Sequence, residues 1–475
     1  MTTTTVPLVI NGQDYHPDKT FDVKSPSTGQ VVFKCGAASV ADATKAVDAA
    51  AEALKSWRKT TLHQRQDIFF KAAEIMQSRK DELIKYMSDE TGSSPDWSAS
   101  NVDKTIFIIK DIGGRIPTLA GSYPSLSNPG RGAIVLREPF GVVLSIAPWN
   151  APYILGTRAI AFPIAAGNTV VFKAPEVSPK TMWAIVDVFQ QAGLPKGVLN
   201  LVVHDQADAP AVTSSLISNP HVKKINFTGS TNVGRIIAKQ AGENLKPIVL
   251  ELGGKAPAIV WEDANLDVAA QHCALGSFLH GGQICMSTER ILVHKAVKDA
   301  FRQKFAGAVA NIFPSSSEAP VLINGVSAQK NKQLVSNATD RGATILHGDV
   351  NVQESSDTRM RPIIVDKVTT DMDIYKTESF GPTVSLIDIE TEAEAIRIAN
   401  DTEYGLSSAV FTEDLRRGLR FAEEIETGAV HINSMSVHDE PNLPHGGAKS
   451  SGYGRFNGSM GLDEWTRTKS VTFDR

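Results

Sequence analysis

At 475 residues and 51.1 kDa, with 42% hydrophobic and 21% charged residues, the chain has the make-up of a folded protein of two or three domains and not of a disordered one. A formal charge of -4 gives no electrostatic footprint for nucleic acid or an anionic membrane, and no apolar run reaches the length that spans a bilayer. Three cysteines, Cys35, Cys273 and Cys285, are too few and too scattered for a disulfide framework or a structural zinc site.

The start, Met1-Thr2-Thr3-Thr4-Thr5-Val6, lacks the basic and apolar regions of a secretory signal, so a cytoplasmic location is expected. Helical periodicity then dominates: an alanine-rich run from Val40 to Ala53, a long stretch from Leu62 to Met87, and another from Asn101 to Ile112. A Gly-, Pro- and Ser-rich loop over Ser122 to Gly132 leads into Ala133 to Glu138, read as a strand leaving the main body.

From Gly141 short β-branched runs alternate with helix-length segments. The runs are Gly141 to Ile146, Thr169 to Lys173, Val198 to Val203, Val222 to Phe227 and Ile248 to Glu251. The helices between them are expected near Ala151 to Ala166, Lys180 to Gln191, Pro210 to Ile217 and Asn232 to Gln240. That alternation predicts an α/β fold with a parallel, doubly wound sheet, on which ligands bind where strands end. A second cycle follows, with a strand Ala256 to Val260, a helix Asp267 to Leu279, a loop carrying Cys285, a strand Arg290 to His294 and a helix Ala296 to Ile312; similar elements run to about Val430.

Cys285, just past a glycine-bounded turn in Gly282-Gln283-Ile284-Cys285-Met286-Ser287, is the best candidate nucleophile, although a lone cysteine is more often a small buried hydrophobe. Phe227-Thr228-Gly229-Ser230 ends a strand and opens a helix. Such a start offers backbone N–H groups to a phosphate, or is simply a turn with a cap. No G-x-G-x-x-G follows any strand of this region, so a dinucleotide must be held in another way. Glu251, at the end of an apolar strand before Gly253-Gly254, is a candidate base whose pKa burial would raise, or else a strand-end carboxylate turned to solvent. Asn150, past another strand, is a candidate oxyanion donor or an ordinary cap.

Pro148-Trp149-Asn150, Phe172-Lys173-Ala174-Pro175-Glu176, Phe227-Thr228-Gly229-Ser230, Glu251-Leu252-Gly253-Gly254-Lys255, Gly282-Gln283-Ile284-Cys285 and Glu378-Ser379-Phe380-Gly381-Pro382 stand in order over most of the chain. In that order and approximate spacing they resemble the NAD(P)-dependent aldehyde dehydrogenase superfamily. The resemblance implies a Rossmann-type cofactor-binding domain over residues 1–118 and 141–252, an α/β catalytic domain over 253–448, and a small β oligomerisation element over 119–140 and 449–475. It also implies oxidation of an aldehyde to a carboxylic acid through a thiohemiacetal and a thioester on Cys285, with Asn150 at the oxyanion and Glu251 activating water.

By the same similarity Ile146, Ala147, Pro148, Trp149, Lys173, Glu176, Phe227, Gly229, Ser230, Val233, Leu252, Glu378 and Phe380 contact the cofactor. A carboxylate at Glu176 accepts hydrogen bonds from ribose hydroxyls and repels a 2′-phosphate, which favours NAD while Lys173 leaves NADP open. The segment Ile284 to Arg290 is similar to that of the subgroup acting on aryl aldehydes such as salicylaldehyde, vanillin and benzaldehyde. Trp97, Tyr153, Arg158, Ile284, Met286 and Tyr453 are the corresponding substrate-pocket candidates; no metal is implied. Gly281-Gly282, where relatives often carry a longer side chain, is expected to loosen the nucleophile loop. The resemblance further implies a homodimer or homotetramer, with the Ala133–Glu138 excursion and a C-terminal strand Lys469 to Phe473 pairing across subunits. The alternatives are a broad or aliphatic aldehyde dehydrogenase, a CoA-acylating relative, and a non-catalytic relative; Glu251 argues against the CoA-acylating one, and Cys285, Glu251, Asn150 and Glu378 together argue against the non-catalytic one.

Overall fold

The five β-branched runs fold into parallel strands of one eight-stranded sheet. The computed structural model describes residues 4–474; Met1 to Thr3 and Arg475, included in the segments above, lie outside the described residues. Across the sheet the parallel strands run Ile248–Glu251, Val222–Thr228, Val142–Ile146, Thr169–Lys173, Leu199–Val202, with antiparallel additions Gly452–Tyr453 at one edge and Leu8–Ile10 and Gln13–Tyr15 at the other. The chain moves outward from Val142–Ile146 in one direction, then returns to its other side at Val222–Thr228. The carboxyl ends of these strands therefore flank a crevice at a topological switch point.

Helix caps explain where the flanking layer starts and stops. Val40–Trp57 begins in a reciprocal capping box between Ser39 and Asp42, and Leu62–Ser78 in another between Thr61 and Gln64. The stretch from Leu62 to Met87 is two helices, not one. The second is Lys80–Thr91, and the break falls at Arg79, whose backbone leaves the helical region while its guanidinium ties Glu82 and Asp187. Pro95–Arg115 starts a turn and a half earlier than its apolar periodicity indicates, because Ser94 caps it and Pro95 occupies its first position. Pro152–Ala165 is buried along its whole length, packed against Pro95–Arg115 and the strands beside it, which accounts for its almost uniformly apolar sequence.

A seven-stranded sheet follows in the order Thr344–His347, Ile363–Asp366, Thr383–Ile389, Thr288–His294, Ala256–Val260, Ser408–Phe411, Val430–Ile432, parallel except for its first pair. The strand period of two splits its core. Ile259, Leu292 and Val410 pack on one face with Leu334 and Phe421, while Ala258, Val260, Ile291 and Val293 pack on the other with Phe301 and Phe305.

Arg131–Pro139 and Thr466–Asp474 form a separate two-stranded antiparallel arm, in register from Arg131 opposite Asp474 to Pro139 opposite Thr466. This corrects the expectation of pairing across subunits: the two segments close on each other within one chain. Among the described residues no helix is long and apolar enough to cross a membrane, and no group of three or more His, Cys, Asp or Glu is placed to hold a metal ion.

Candidate active site

The strand Val142–Ile146 delivers Pro148, Trp149 and Asn150 to the crevice, and Ile248–Glu251 delivers Glu251 beside them. Opposite stands the loop between the helix Leu266–Phe278 and the strand Thr288–His294. It turns through three left-handed residues, His280 (φ 51°), Gly281 (φ 63°) and Gly282 (φ 73°). A Cβ at Gly282 would lie 2.2 Å from the Gly381 carbonyl oxygen, so only glycine fits. Gly254 is small for the same reason, since a Cβ there would stand 2.2 Å from the carbonyl oxygen of Cys285.

The loop is not loosened by its glycines. Gln283 is fully buried and pins it, donating from Nε2 to the carbonyls of His280 (3.1 Å) and Val321 (3.0 Å) and accepting at Oε1 from the Ile323 N–H (2.9 Å). The Asn150 amide donates from Nδ2 to the Gln283 carbonyl at 2.9 Å, which ties the first sheet to the loop.

Cys285 Sγ sits 3.9 Å from Glu251 Oε1. Although part of Cys285 is exposed, its thiol is deeply surrounded: burial, then the Glu251 and Glu378 carboxylates, push its pKa well above the ordinary range, against the pull of Arg158. The proton therefore rests on sulfur. Burial alone would lift Glu251 as the sequence leads one to expect, but His445 and then Arg158 outweigh it and hold the carboxyl below its ordinary value. His445 Nε2 lies 2.9 Å from Glu251 Oε1, and the Arg158 guanidinium 3.6 Å from Oε2. Arg158 is itself paired with Asp439.

Two cavities meet at this point. One, of about 280 Å³, is walled by Pro148, Trp149, Gly229, Ser230, Leu252, Glu378 and Phe380. The other, of about 130 Å³, is walled by Trp97, Ile154, Arg158, Ile284, Met286 and Val437. Asn150, Leu155, Glu251 and Cys285 belong to both walls.

The larger cavity has the donors and acceptors that a dinucleotide needs. Ser230 has extended backbone at the start of the helix Thr231–Glu243 and makes no side-chain cap bond, which leaves first-turn N–H groups toward the cavity. Trp149 and Phe380 stand edge to face, 5.9 Å apart. The Glu378 carboxylate accepts from the Gly254 N–H at 2.8 Å, and burial, helped by Glu289, pushes its pKa up to about 7. Glu289 accepts from Lys255 Nζ (2.5 Å) and from the N–H groups of Ser379 (2.8 Å) and Phe380 (3.1 Å), fixing the bend at which Phe380 takes a positive φ of 48°.

Other candidates are placed more variously. Ile146, Ala147 and Phe227 are buried and outside the larger cavity's wall, whereas Val233 is exposed on the first turn of the following helix. Lys173 is the last residue of the neighbouring strand and Glu176 lies three residues past it, both outside that wall; burial lowers the Lys173 pKa and Glu176 opposes it. Trp97 stacks on His280 at 5.5 Å and, with Arg158, Ile284 and Met286, walls the smaller cavity.

Tyr153 and Tyr453 are outside both walls. The helix Pro152–Ala165 turns Ile154, Leu155 and Arg158 to the cavity and Tyr153 away from it, where its hydroxyl donates to the Leu83 carbonyl at 2.8 Å. Tyr453 is half exposed on the edge strand opposite Leu250. His445 and Asp439 were missed by sequence reasoning. The one available signal was a histidine directly before Gly446-Gly447, which no local pattern links to a carboxylate 194 positions away.

A family model described as the aldehyde dehydrogenase family matches residues 14–471. A vanillin dehydrogenase from Pseudomonas sp. (strain HR199 / DSM 7063) is 41% identical over 477 residues, covering 98% of this chain and 97% of its own. A salicylaldehyde dehydrogenase from Pseudomonas sp. (strain C18) is 39% identical, covering 97% and 96%. Among solved structures, a salicylaldehyde dehydrogenase from Pseudomonas putida G7 complexed with salicylaldehyde superposes with a TM-score of 0.96 at 38% identity, covering 99% of this chain and 98% of that one.

Proposed function

The chain belongs to the aldehyde dehydrogenase family of oxidoreductases, which work with a nicotinamide cofactor, and on that premise we propose that it oxidises aromatic aldehydes to carboxylic acids with Cys285 as nucleophile. The observation that carries this reading is the meeting of two cavities at Cys285, Asn150 and Glu251, one suited to a dinucleotide and one to a compact apolar substrate. The smaller cavity has the flat Trp97 ring, Ile284 and Met286 in its walls, surfaces on which an aryl ring packs well. Relatives named for vanillin and salicylaldehyde support the same substrate class.

Each step falls to a residue in reach. Glu251 takes the thiol proton across the 3.9 Å gap and passes it to solvent, which leaves its carboxylate ionised for the later step, and Cys285 sulfur adds to the aldehyde carbon. The resulting oxyanion is met by the Cys285 backbone N–H and by the Asn150 amide, one of whose two protons is committed to Gln283. Bound in the larger cavity, a nicotinamide would accept the hydride from the aldehyde carbon, which leaves a thioester on Cys285. Trp149 and Phe380 wall its place, Glu378 offers a carboxylate to ribose hydroxyls, and the helix start at Ser230 offers N–H groups to the pyrophosphate. Glu251 next activates water, whose oxygen bonds to the thioester carbon as the C–S bond breaks and the acid leaves.

Glu176, close enough to Lys173 to oppose the lowering of its pKa, favours NAD over NADP, because a carboxylate repels a 2′-phosphate. We assign residues 1–118 and 141–252 to cofactor binding, 253–448 to catalysis, and 119–140 with 449–475 to assembly, although Gly452–Tyr453 joins the edge of the first sheet. Three unpaired cysteines fit a reducing compartment, which supports a cytoplasmic enzyme.

The test is NADH formation with excess NAD on benzaldehyde, salicylaldehyde and vanillin against short and long aliphatic aldehydes. A preference of about tenfold or more in kcat/KM for the aryl set is expected, about 1.4 kcal/mol of differential transition-state binding. Equal or better aliphatic rates would overturn the substrate class, and faster turnover with NADP would overturn the cofactor preference.

A further inference from the structure

His445 is the one side chain besides the Cys285 thiol that approaches a Glu251 oxygen within hydrogen-bond reach among the described residues; its Nε2 is 2.9 Å from Oε1. Both groups are withdrawn from solvent, with the His445 side chain 10% exposed and that of Glu251 1%. The other carboxylate oxygen, Oε2, has no hydrogen-bond partner, and Arg158 stands 3.6 Å from it without bonding. A buried carboxylate anchored at a single oxygen depends on that anchor for its orientation.

The anchor is itself rigid. The His445 backbone exchanges both hydrogen bonds with Phe456, N–H to carbonyl and carbonyl from N–H, each at 2.8 Å. The second ring nitrogen, Nδ1, faces Asp439 Oδ1 at 3.7 Å. Asp439 is held in turn by Arg158 and by Asn457 Nδ2 at 2.9 Å, with Lys104 Nζ on its backbone carbonyl at 3.2 Å. The imidazole thus lies between two carboxylates, which offer acceptors at both nitrogens; Lys104, His431, and His438 with Glu440 beside it are further titratable groups on that side.

We propose that His445 is the positioning residue of the base: by donating from Nε2 to Oε1 it locks the Glu251 carboxylate in orientation beside Cys285, where that carboxylate takes the proton of the hydrolytic water. This rests on the reading of Glu251 as that base. In the step so directed, the water oxygen bonds to the thioester carbon, one water proton passes to the Glu251 carboxylate, the C–S bond breaks with its electron pair going to Cys285 sulfur, and the carboxylic acid departs. Arg158 and Asp439 complete the frame. Their charges set the field around the pair, and His445 supplies its one directional bond.

The experiment compares wild type with His445→Phe, His445→Gln and Glu251→Gln, reading the pre-steady-state NADH burst, steady-state kcat and KM, intact mass during turnover, and the pH profile of kcat. His445→Phe should keep its burst and aldehyde KM while kcat falls about tenfold or more, as expected for loss of a hydrogen bond to a charged group. Acyl-enzyme should accumulate in the intact-mass spectrum. Because His445 lowers the Glu251 pKa, its removal raises that pKa and should move the acidic limb of kcat to higher pH. His445→Gln keeps an N–H donor at similar reach and should recover kcat to within about threefold. A wild-type pH limb and kcat in His445→Phe would overturn the proposal, as would a His445→Gln variant as slow as His445→Phe. Should the Phe variant fail to fold, His445→Asn, too short to reach Oε1, replaces it with the same expectations. Normal turnover by Glu251→Gln would instead sink the base reading itself, whereas slow Glu251→Gln with normal His445→Phe sinks only the role of His445.

Discussion

Asn150 and Gln283, 133 positions apart, are joined by a 2.9 Å hydrogen bond from the Asn150 amide to the Gln283 carbonyl, so the proposed oxyanion donor and the loop of the proposed nucleophile are set by one contact. The Gln283 side chain carries that contact, because its own three bonds to His280, Val321 and Ile323 fix the backbone that accepts it. Gln283→Ala would leave buried backbone groups unpaired. It should cost about 2–4 kcal/mol of stability in denaturant unfolding and lower kcat more than it raises KM. A variant as stable and as fast as wild type would mean that the loop is held elsewhere.

Cys285→Ala and Glu251→Gln should fail at different steps. The alanine variant has no nucleophile, so NADH formation should vanish, burst included, while cofactor titration by fluorescence stays near wild type. Glu251→Gln should slow acyl transfer to sulfur, since Glu251 takes the thiol proton, and slow hydrolysis further, so that steady-state turnover falls by about 10²- to 10⁴-fold, the range for loss of a general base, with an adduct of the acyl mass on the protein. Turnover surviving in Cys285→Ala would remove the nucleophile assignment. Unimpaired turnover without an adduct in Glu251→Gln would remove the base.

The parts of this site that follow chain order were legible in the sequence. Strand-end residues such as Asn150, Glu251 and Ser230 announce themselves because parallel strands deliver their carboxyl ends to one crevice, and a glycine-bounded cysteine marks its own loop. Contacts made across domains leave no such trace. His445 acts on a residue 194 positions away, and Asp439 and Arg158 are paired over 281 positions. Tyr153 illustrates a different limit. Its helix is apolar on every side, so periodicity cannot tell which face meets the cavity, and only packing turns Arg158 inward to it and Tyr153 toward Leu83. The Glu251 pKa failed for a related reason, since burial was foreseeable and the His445 and Arg158 contacts that reverse its effect were not.

Glu378 carries a pH dependence whose sign is fixed. Its folded-state pKa, about 7, lies above the ordinary 4.5, so its contribution to stability is full below the ordinary value and is lost as pH rises through 7. Without cofactor, wild type should therefore lose melting temperature relative to Glu378→Gln between pH 5 and pH 8. Ribose hydroxyls bond better to the ionised carboxylate, so NAD affinity should rise over the same interval in wild type and stay flat in the variant. Parallel curves for the two proteins in both measurements would show that Glu378 does not titrate in this window.

The arm should make the enzyme an oligomer. In its register Ile134 faces Val471 and Gly132 faces Phe473, and since directly opposed residues share a face, Ile134, Leu136, Val471 and Phe473 form an apolar stripe with each side chain about 40% exposed. Phe473 lies so close over Gly132 that a Cβ there would come within 2.5 Å of its ring. A two-stranded ribbon exposing such a stripe is marginal alone and prone to pairing, and a second subunit would cover it. Wild type should run as a homodimer or homotetramer in light scattering. Ile134→Glu combined with Val471→Glu places like charges directly opposite each other on that face and should yield monomer. Because the arm is remote from Cys285, NAD binding should survive in that monomer. An unchanged mass for the double variant would exclude the stripe as the assembly surface, and a monomeric wild type would exclude the assembly.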